Sequence, residues 1–527
     1  MPLIGKSSFL GRYGEEILAG AAGGVLMALS FPPYPTRILS LVALVPLFRY
    51  FLRVRPAYPP ERRTLRRGFL VGWIFGIVFF IVLLFWITNL IPASSVSLRW
   101  VLTPGLILLT MYLGLYTGLF TLALAALHRW RGAAALFLAP AIWAVTEQMR
   151  SSGELAFSWG TISSSLAPYP VALQGLAAAG PFGLGMCIVL INLLFTLILF
   201  GRKRTGRAGA AVVLVALIAA ALAGGEARIR RIEASLESES VPADVAVVQP
   251  NVDLAKKWKA FYRDSVFVEI GQYADKASAL GARLVIFPET AAPVSMSHHL
   301  LYRDWMKRIA RGADLDIYIG YVRHEKEGER WISYNSSGLF DSTGLLVAQY
   351  DKINLLQFGE RIPFSQYIPP LEKMDFGQAN FRRGQEQTIF DSPAGRFGAL
   401  ICFESTFSDY TRRYVRRGAD FLVNVTNDGW FGSSRGPLQH SESAIMRAVE
   451  NGVTMLRAAN TGVSMYIDPT GRVVDRIGLD REGMLLVPVH KPHRMTLYTR
   501  YGRAVLLVLV LVNIAAVVPF LLRRPAA

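Results

Sequence analysis

The sequence predicts two architectures in one chain: an α-helical transmembrane bundle of about eight spans, and an α/β domain inserted before the last span. Three observations carry this expectation. The chain has 527 residues and is 52% hydrophobic, too long for one domain and too apolar for a purely soluble protein. Apolar runs near the length that a bilayer requires fill the first 225 positions and recur close to the end. Between them, from 226 to 502, short strand patterns alternate with helical ones.

The apolar runs lie at 16–31, 36–54, 68–91, 101–128, 132–149, 179–201, 208–224 and 503–522, the first two being short for a span. Basic clusters fix their direction. Arg53, Arg55, Arg62, Arg63, Arg66 and Arg67 follow the second run, and Arg129 and Arg131 the fourth. Arg202, Lys203, Arg204 and Arg207 follow the sixth, and Arg523 and Arg524 the last. All fall on one side if the N-terminus is cytoplasmic, so the positive-inside rule puts 226–502 outside the cytoplasm. Glu15 and Glu16 precede the first run and no small-residue cleavage site follows, which reads as a retained membrane segment. The expected domains are therefore 1–225, a bundle of about seven spans; 226–502, the α/β domain; and 503–527, the closing span and tail. The net charge of +18 lies largely in these loops, where it answers to anionic lipid headgroups. Nucleic acid is not expected as a partner.

Glu226 to Asp244, with mixed charges, reads as a linker. Strands are expected near 245–250, 284–287, 317–322, 332–340, 345–350, 397–403, 421–427 and 463–467. Helices are expected near 264–280, 301–312, 408–417 and 441–451. This alternation argues for buried sheets layered between helices.

Chemistry concentrates at three strand ends. Leu284-Val-Ile-Phe-Pro-Glu-Thr ends on Glu289, Leu345-Leu-Val-Ala-Gln-Tyr-Asp-Lys on Lys352, and Gly398-Ala-Leu-Ile-Cys on Cys402, followed by Phe403 and Glu404. The chain has two cysteines, and Cys187 sits in an apolar run, so no disulfide framework and no paired-cysteine metal site is expected. A free thiol is only a few per cent ionised at neutral pH and needs a neighbouring base or cation. Glu289 suits proton transfer, and Lys352 suits the charge of a tetrahedral intermediate, helped by the Phe403 backbone N–H. Together these groups point to acyl transfer through a thioester. Each alone reads more readily as an ordinary core thiol, loop carboxylate or solvated lysine; the joint arrangement reverses that.

The motifs Phe-Pro-Glu-Thr, Tyr-Asp-Lys…Phe-Gly-Glu-Arg-Ile-Pro and Ile-Cys-Phe-Glu-Ser resemble the nitrilase superfamily. With the spans, nearly the whole chain is similar to its membrane-embedded branch, the apolipoprotein N-acyltransferase family. Pro-Asn-Val-Asp-Leu-Ala-Lys-Lys-Trp258, Asn427-Asp-Gly-Trp-Phe-Gly, Gly436-Pro-Leu-Gln-His440, Arg447 and Asn460-Thr-Gly462 also match. The resemblance implies an extracytoplasmic α-β-β-α sandwich and a Glu289–Lys352–Cys402 triad supported by Glu360 and Glu404. It implies a ping-pong transfer of an acyl chain from a phospholipid to the α-amino group of a diacylglyceryl-cysteine at a lipoprotein's N-terminus. It further implies a monomer in a bacterial inner membrane, with the catalytic domain on the periplasmic side and no cofactor or metal. Trp258 is expected to line the acyl pocket. Phe403 departs from many relatives, which carry Tyr there, and leaves only the backbone N–H for a role at that position.

Apolar segments Ile353–Phe358 and Phe364–Leu371 are expected as arms resting on lipid or as packed loops. Gly432-Ser-Ser434-Arg-Gly436 lacks the strand-turn-helix setting of a nucleophile elbow, His298-His299 lacks partners at ligand spacing, and His440 reads as a structural hydrogen-bonding residue. Two other functions compete. A membrane-tethered amidase would pass the same thioester to water. A transporter is disfavoured because the spans hold few ionisable groups, Glu147 being read as interfacial.

Overall fold

The structure, a computed structural model, describes residues 9–53, 62–90, 99–239, 241–372, 379–432, 434–491 and 494–522. Arg55, Arg523 and Arg524 lie outside the described residues. Contacts divide the chain into two compact units, one holding the helices up to Ala227 and the chain from Tyr501, the other holding Arg228–Arg500.

In the first unit, four described helices are long and apolar enough to cross a membrane: Thr64–Leu83, Leu102–Arg129, Gly175–Phe200 and Arg204–Glu237. Helices Phe9–Ala28 and Arg503–Leu522 add two further apolar segments of 20 residues. Small residues let these backbones approach, as membrane helices require. A Cβ on Gly72 would lie 2.3 Å from the Thr117 carbonyl oxygen of the neighbouring helix.

Two expected spans are not continuous helices. Residues 36–54 form a 3-10 turn, Arg37–Leu41, and then a nine-residue helix, Val45–Arg53. The Asn192 side chain holds the break: its oxygen accepts from Leu44 N at 2.8 Å and its nitrogen donates to Ser40 O at 2.8 Å. These bonds satisfy backbone groups that a helix would otherwise pair. Residues 132–149 likewise divide into a 3-10 segment, Gly132–Leu138, and the helix Ala139–Arg150, which Pro140 opens. The expected linker at 226–244 is corrected as well. The helix that begins at Arg204 runs on to Glu237, because Glu226–Glu237 is free of Gly and Pro and rich in Ala, Arg and Glu. Glu147, read from the sequence as interfacial, is packed within the protein. It is buried, its Oε1 accepting from Ile162 N at 2.8 Å and lying 3.6 Å from Arg150 Nη2.

Among the described residues, the second unit carries thirteen strands. They are β1 (Ala243–Gln249), β2 (Leu284–Ile286), β3 (Ala292–Ser295), β4 (Asp316–Glu327), β5 (Arg330–Phe340), β6 (Leu346–Asp351) and β7 (Ile389–Ser392), continuing with β8 (Gly395–Ile401), β9 (Phe421–Thr426), β10 (Met455–Ala459), β11 (Ser464–Ile467), β12 (Val473–Ile477) and β13 (Gly483–Pro488). One sheet runs β13-β1-β2-β4-β5-β6, with β3 pairing β4; the other runs β12-β11-β10-β9-β8-β7. β1, β2 and β4 are parallel, as are β8, β9 and β10.

Alternation along each strand builds two layers of core. Val245, Val247, Leu284 and Ile286 join Phe397, Ala399, Ile401, Val423 and Leu456 between the sheets. Ala246, Val248, Val285, Ile317 and Ile319 face outward onto the helices Arg263–Ala279 and Leu300–Ala313. The helices Ser408–Arg416 and Gly436–Asn451 pack against the second sheet, through β8, β9 and β10. The unit is thus an α-β-β-α sandwich. Strands buried on both faces read as continuous apolar runs, which is why β1 and β9 were visible in the sequence.

Beneath the turn that follows β2, Gly320 of β4 leaves no room for a side chain. A Cβ there would lie 2.5 Å from Thr290 N and 2.8 Å from Glu289 Cα. Gly320→Ala is expected to cost about 1–3 kcal/mol through forced backbone displacement, read as a lower denaturation midpoint of the purified protein. An unchanged midpoint would contradict the packing described.

Candidate active site

Strand ends bring the chemical groups together. The carboxyl ends of parallel strands are where α/β folds commonly place their sites. β2 leads to Glu289, β8 to Cys402, and β9 to Asn427 and Asp428. Lys352 follows β6, and its backbone N–H donates to the Asn335 carbonyl of β5 at 2.8 Å. That pairing sets the Asn335 side chain beside the lysine.

The Lys352 ammonium is buried, with Nζ 2.9 Å from Glu360 Oε1 and 3.8 Å from Glu289 Oε1. Asn335 Nδ2 bridges the same two oxygens, at 2.7 Å to Glu289 and 2.9 Å to Glu360. Asn427 N donates to the other Glu289 oxygen at 2.8 Å, and Leu356 N to the other Glu360 oxygen at 2.8 Å. Burial works to lower the lysine's pKa, but Glu360 and Glu289 outweigh it and the net direction is up, favouring the ammonium form.

Cys402 begins a 3-10 turn, Cys402–Thr406, with φ 51°, in the left-handed region that non-glycine residues rarely enter. Its carbonyl is held from three sides: His440 Nε2 at 3.1 Å, Asn424 Nδ2 at 3.3 Å and Ser405 Oγ at 3.1 Å. Burial pushes the thiol's pKa well up. Glu289 and Asp428 push the same way, while Lys352 and a hydrogen bond with the Thr426 side chain oppose them. The resting group is therefore a thiol whose sulfur feels both Glu289 and Lys352.

Glu404 is fully buried and accepts four hydrogen bonds. Tyr350 Oη donates at 2.6 Å, Ile353 N and Asn354 N at 2.9 Å, and Ile401 N at 2.8 Å. It thereby ties the segment after Lys352 to the strand that ends on Cys402. Burial raises its pKa against the pull of these donors.

The structure thus brings Glu289, Lys352, Cys402, Glu360 and Glu404 into one cluster. Phe403 is buried, its ring edge-on to Phe407 at 5.1 Å. Trp258 is 39% exposed at the end of the short helix Leu254–Lys257; the residue of that turn which reaches Glu289 is its neighbour Lys257. The apolar segments after Lys352 expose Phe358, Phe364, Tyr367 and Ile368 while burying Leu355. Ser434 Oγ accepts from Gly436 N at the start of a helix, a turn role.

Sequence reasoning missed a second buried cluster behind the thiol. His440 Nδ1 lies 2.9 Å from Asp428 Oδ1, Arg457 Nη2 lies 2.8 Å from Asp428 Oδ2, and Arg457 Nη1 bonds Asn424. His440 is thus a hydrogen-bonding residue, as read from the sequence, and it grips the carbonyl of Cys402. Asn335 was also missed. A polar residue within a strand carries no local sign of facing a site.

The family model described as "Carbon-nitrogen hydrolase" matches residues 244–493, and "Apolipoprotein N-acyltransferase N-terminal domain" matches 23–194. Among curated relatives, the apolipoprotein N-acyltransferase of Geobacter metallireducens is 31% identical, covering 93% of this chain and 92% of the relative. That of Chlorobaculum tepidum is 28% identical, covering 91% of each. Among solved structures, an amidase of Nesterenkonia AN1 from the nitrilase superfamily covers 50% of this chain and 97% of its own, at 21% identity and TM-score 0.39. The sandwich is of the carbon–nitrogen hydrolase type, and the same chain carries a helical unit with several apolar helices. The chain as a whole belongs to the apolipoprotein N-acyltransferase family.

The buried ion cluster has a measurable consequence. Burial would raise the Asp428 carboxyl, but Arg457 and His440 outweigh it and hold its pKa at about 2. A folded value below the ordinary carboxylate value of about 3.9 stabilises the fold above that pH, and the stabilisation is lost as pH falls towards 2. Asp428→Asn should lower the denaturant midpoint at pH 7, an unpaired buried Arg457 costing about 3–5 kcal/mol. It should also narrow the gap from wild type as pH falls from 4 to 2. A gap that stays constant over that range would contradict the assignment.

Proposed function

We propose that this chain moves an acyl chain from a phospholipid to the α-amino group of an N-terminal diacylglyceryl-cysteine on a lipoprotein, with Cys402 as the carrier. The observation that supports it best is one buried cation, Lys352, between Glu289 and Glu360 and beside a thiol at a strand end. The curated relatives carry the name of this activity.

The steps follow from the charges. Because burial and Glu289 hold the thiol protonated at rest, the proton passes to Glu289 as sulfur attacks the ester carbonyl. Negative charge developing on the carbonyl oxygen is met by Lys352, with the Phe403 backbone N–H as the second donor. Collapse breaks the ester C–O bond, Glu289 returns the proton to the lysophospholipid oxygen, and the acyl group remains as a thioester. The acceptor amine then attacks, Glu289 takes a proton from nitrogen, and the thiol is restored as the amide leaves. Glu360 and Asn335 keep the lysine aimed throughout, and Glu404 keeps the two sides of the site in register. Trp258 is assigned to the acyl pocket.

The placement is part of the proposal. Residues 1–225 and 503–527 form a membrane bundle of about eight crossings, two of them interrupted. Residues 226–502 face the periplasm of a bacterial inner membrane, and the protein acts as a monomer. The one-sided basic clusters support the orientation. A bilayer confines both lipid substrates and raises their effective concentration at the thiol.

Purified full-length protein with phospholipid and a diacylglyceryl-cysteine peptide is expected to yield N-acyl peptide and lysophospholipid in equal amounts. Cys402→Ala should abolish both products, and Lys352→Met should slow them by on the order of 10²–10³. Free fatty acid in place of N-acyl peptide would make the enzyme an amidase-type hydrolase, and full activity in Cys402→Ala would end the scheme.

A further inference from the structure

The triad's carboxylate has a second buried amine beside it that the mechanism above does not use. Lys257 closes the helix Leu254–Lys257, which Asp253 caps through Ala255 N at 2.8 Å. Its side chain turns inward and is 1% exposed. Nζ donates to the Glu289 carbonyl oxygen at 3.3 Å and to Thr290 Oγ1 at 3.1 Å.

The backbone it grips is strained. Thr290 has φ 48°, a conformation that a β-branched residue adopts at a cost. Gly320 supports this turn from below, and Lys257 holds its oxygens. Packing alone does not call for an amine here. Burying an ammonium is costly, and an apolar side chain of similar length would fill the space without that cost. What an amine adds is two directed donors and a charge next to Glu289.

Building on the function proposed above, we propose that Lys257 is a positioning residue for the acid/base step. It pins the Glu289–Thr290 turn, and its positive charge supports the carboxylate form of Glu289, so that proton transfer continues at lower pH. The electrostatics agree in sign. Burial lowers the lysine's pKa to about 7, and Glu289 opposes that shift. On the acid side of that value the amine carries its charge.

Other titratable groups face Lys257. Glu269 and Tyr273, from the helix Arg263–Ala279, line a cavity with Lys257, Asn460 and Phe287. Burial and Glu482 raise Glu269 to about 7, and Tyr273 Oη donates to Glu482 Oε1 at 2.8 Å. Glu269 therefore gains charge as Lys257 loses it, and a variant of Lys257 has to be read against a Glu269→Gln control.

The test is the pH dependence of N-acyl product formation by the full-length protein in phospholipid micelles. Lys257→Met is expected to move the acid limb of kcat up by about one pH unit, the order expected for losing a nearby opposite charge. Its plateau kcat should fall about tenfold, on the low side of the 10²–10⁴ range for acid/base groups, while KM for phospholipid stays unchanged. Lys257→Arg, which keeps a cation, should retain the wild-type limb, and Glu269→Gln should not reproduce the Met shift. If Lys257→Met loses rate evenly across pH with the limb in place, the lysine is only a core filler and the proposal is overturned. Should that variant fail to accumulate, Thr290→Val, which removes one of the two oxygen acceptors, should shift the limb the same way by less. An unmoved limb there overturns the proposal equally. Wild-type protein that makes no N-acyl product would instead defeat the function proposed above, so the two failures are distinct.

Discussion

The Lys352 ammonium, sealed between Glu360 and Glu289, is the constraint on which the rest of the site depends. Two carboxylates this close would repel each other and one would take up a proton. The ammonium lies between them, 2.9 Å from Glu360 and 3.8 Å from Glu289, and Asn335 bridges the same two oxygens. The arrangement needs strands from the first sheet, β5 for Asn335 and the end of β6 for the lysine, and the turn after β2 for Glu289. Glu404 then fastens that assembly to the end of β8 in the second sheet. The site is in this sense a seam between the sheets, closed by buried polar groups that bond across it.

Charge also explains why Cys402, the nucleophile of the proposed reaction, is not a standing thiolate. Burial, Glu289 and Asp428 all disfavour ionised sulfur, and Lys352 alone does not reverse them. In the proposed reaction, deprotonation accompanies attack on a carbonyl rather than preceding it, and a resting thiol is less open to oxidation and alkylation. The strained backbone at Cys402 is held by His440, Asn424 and Ser405, so the sulfur's position is set by the cluster around Asp428 and Arg457 instead of by its own torsion preference.

The parts of this arrangement that sit at strand ends were legible in the sequence. Glu289, Lys352 and Cys402 each follow an apolar run, and the run supplies the element that places them. β10 was not expected, because Arg457 lies at its centre and breaks the apolar pattern; only the fold reveals that Asp428 receives it. Lys257 was overlooked beside Trp258, since a lysine on a short helix reads as solvated by default. The helical unit shows the same divide. Hydropathy located the apolar segments but is blind to a backbone break, and nothing local marks Asn192 as the residue that holds one 150 positions away in the chain. The helix through Glu237 shows the opposite error, where mixed charge was taken for a linker although the residues are good helix formers.

The central claim is that one sulfur carries the acyl group between two lipid-borne partners. Its most direct test is the intact mass of the protein after incubation with a defined phospholipid and no acceptor, followed by peptide mapping. The account predicts one acyl chain on the peptide containing Cys402, released by neutral hydroxylamine and transferred when the acceptor peptide is added. Lysophospholipid formation with no acyl group on Cys402, or with the label on another residue, would contradict it.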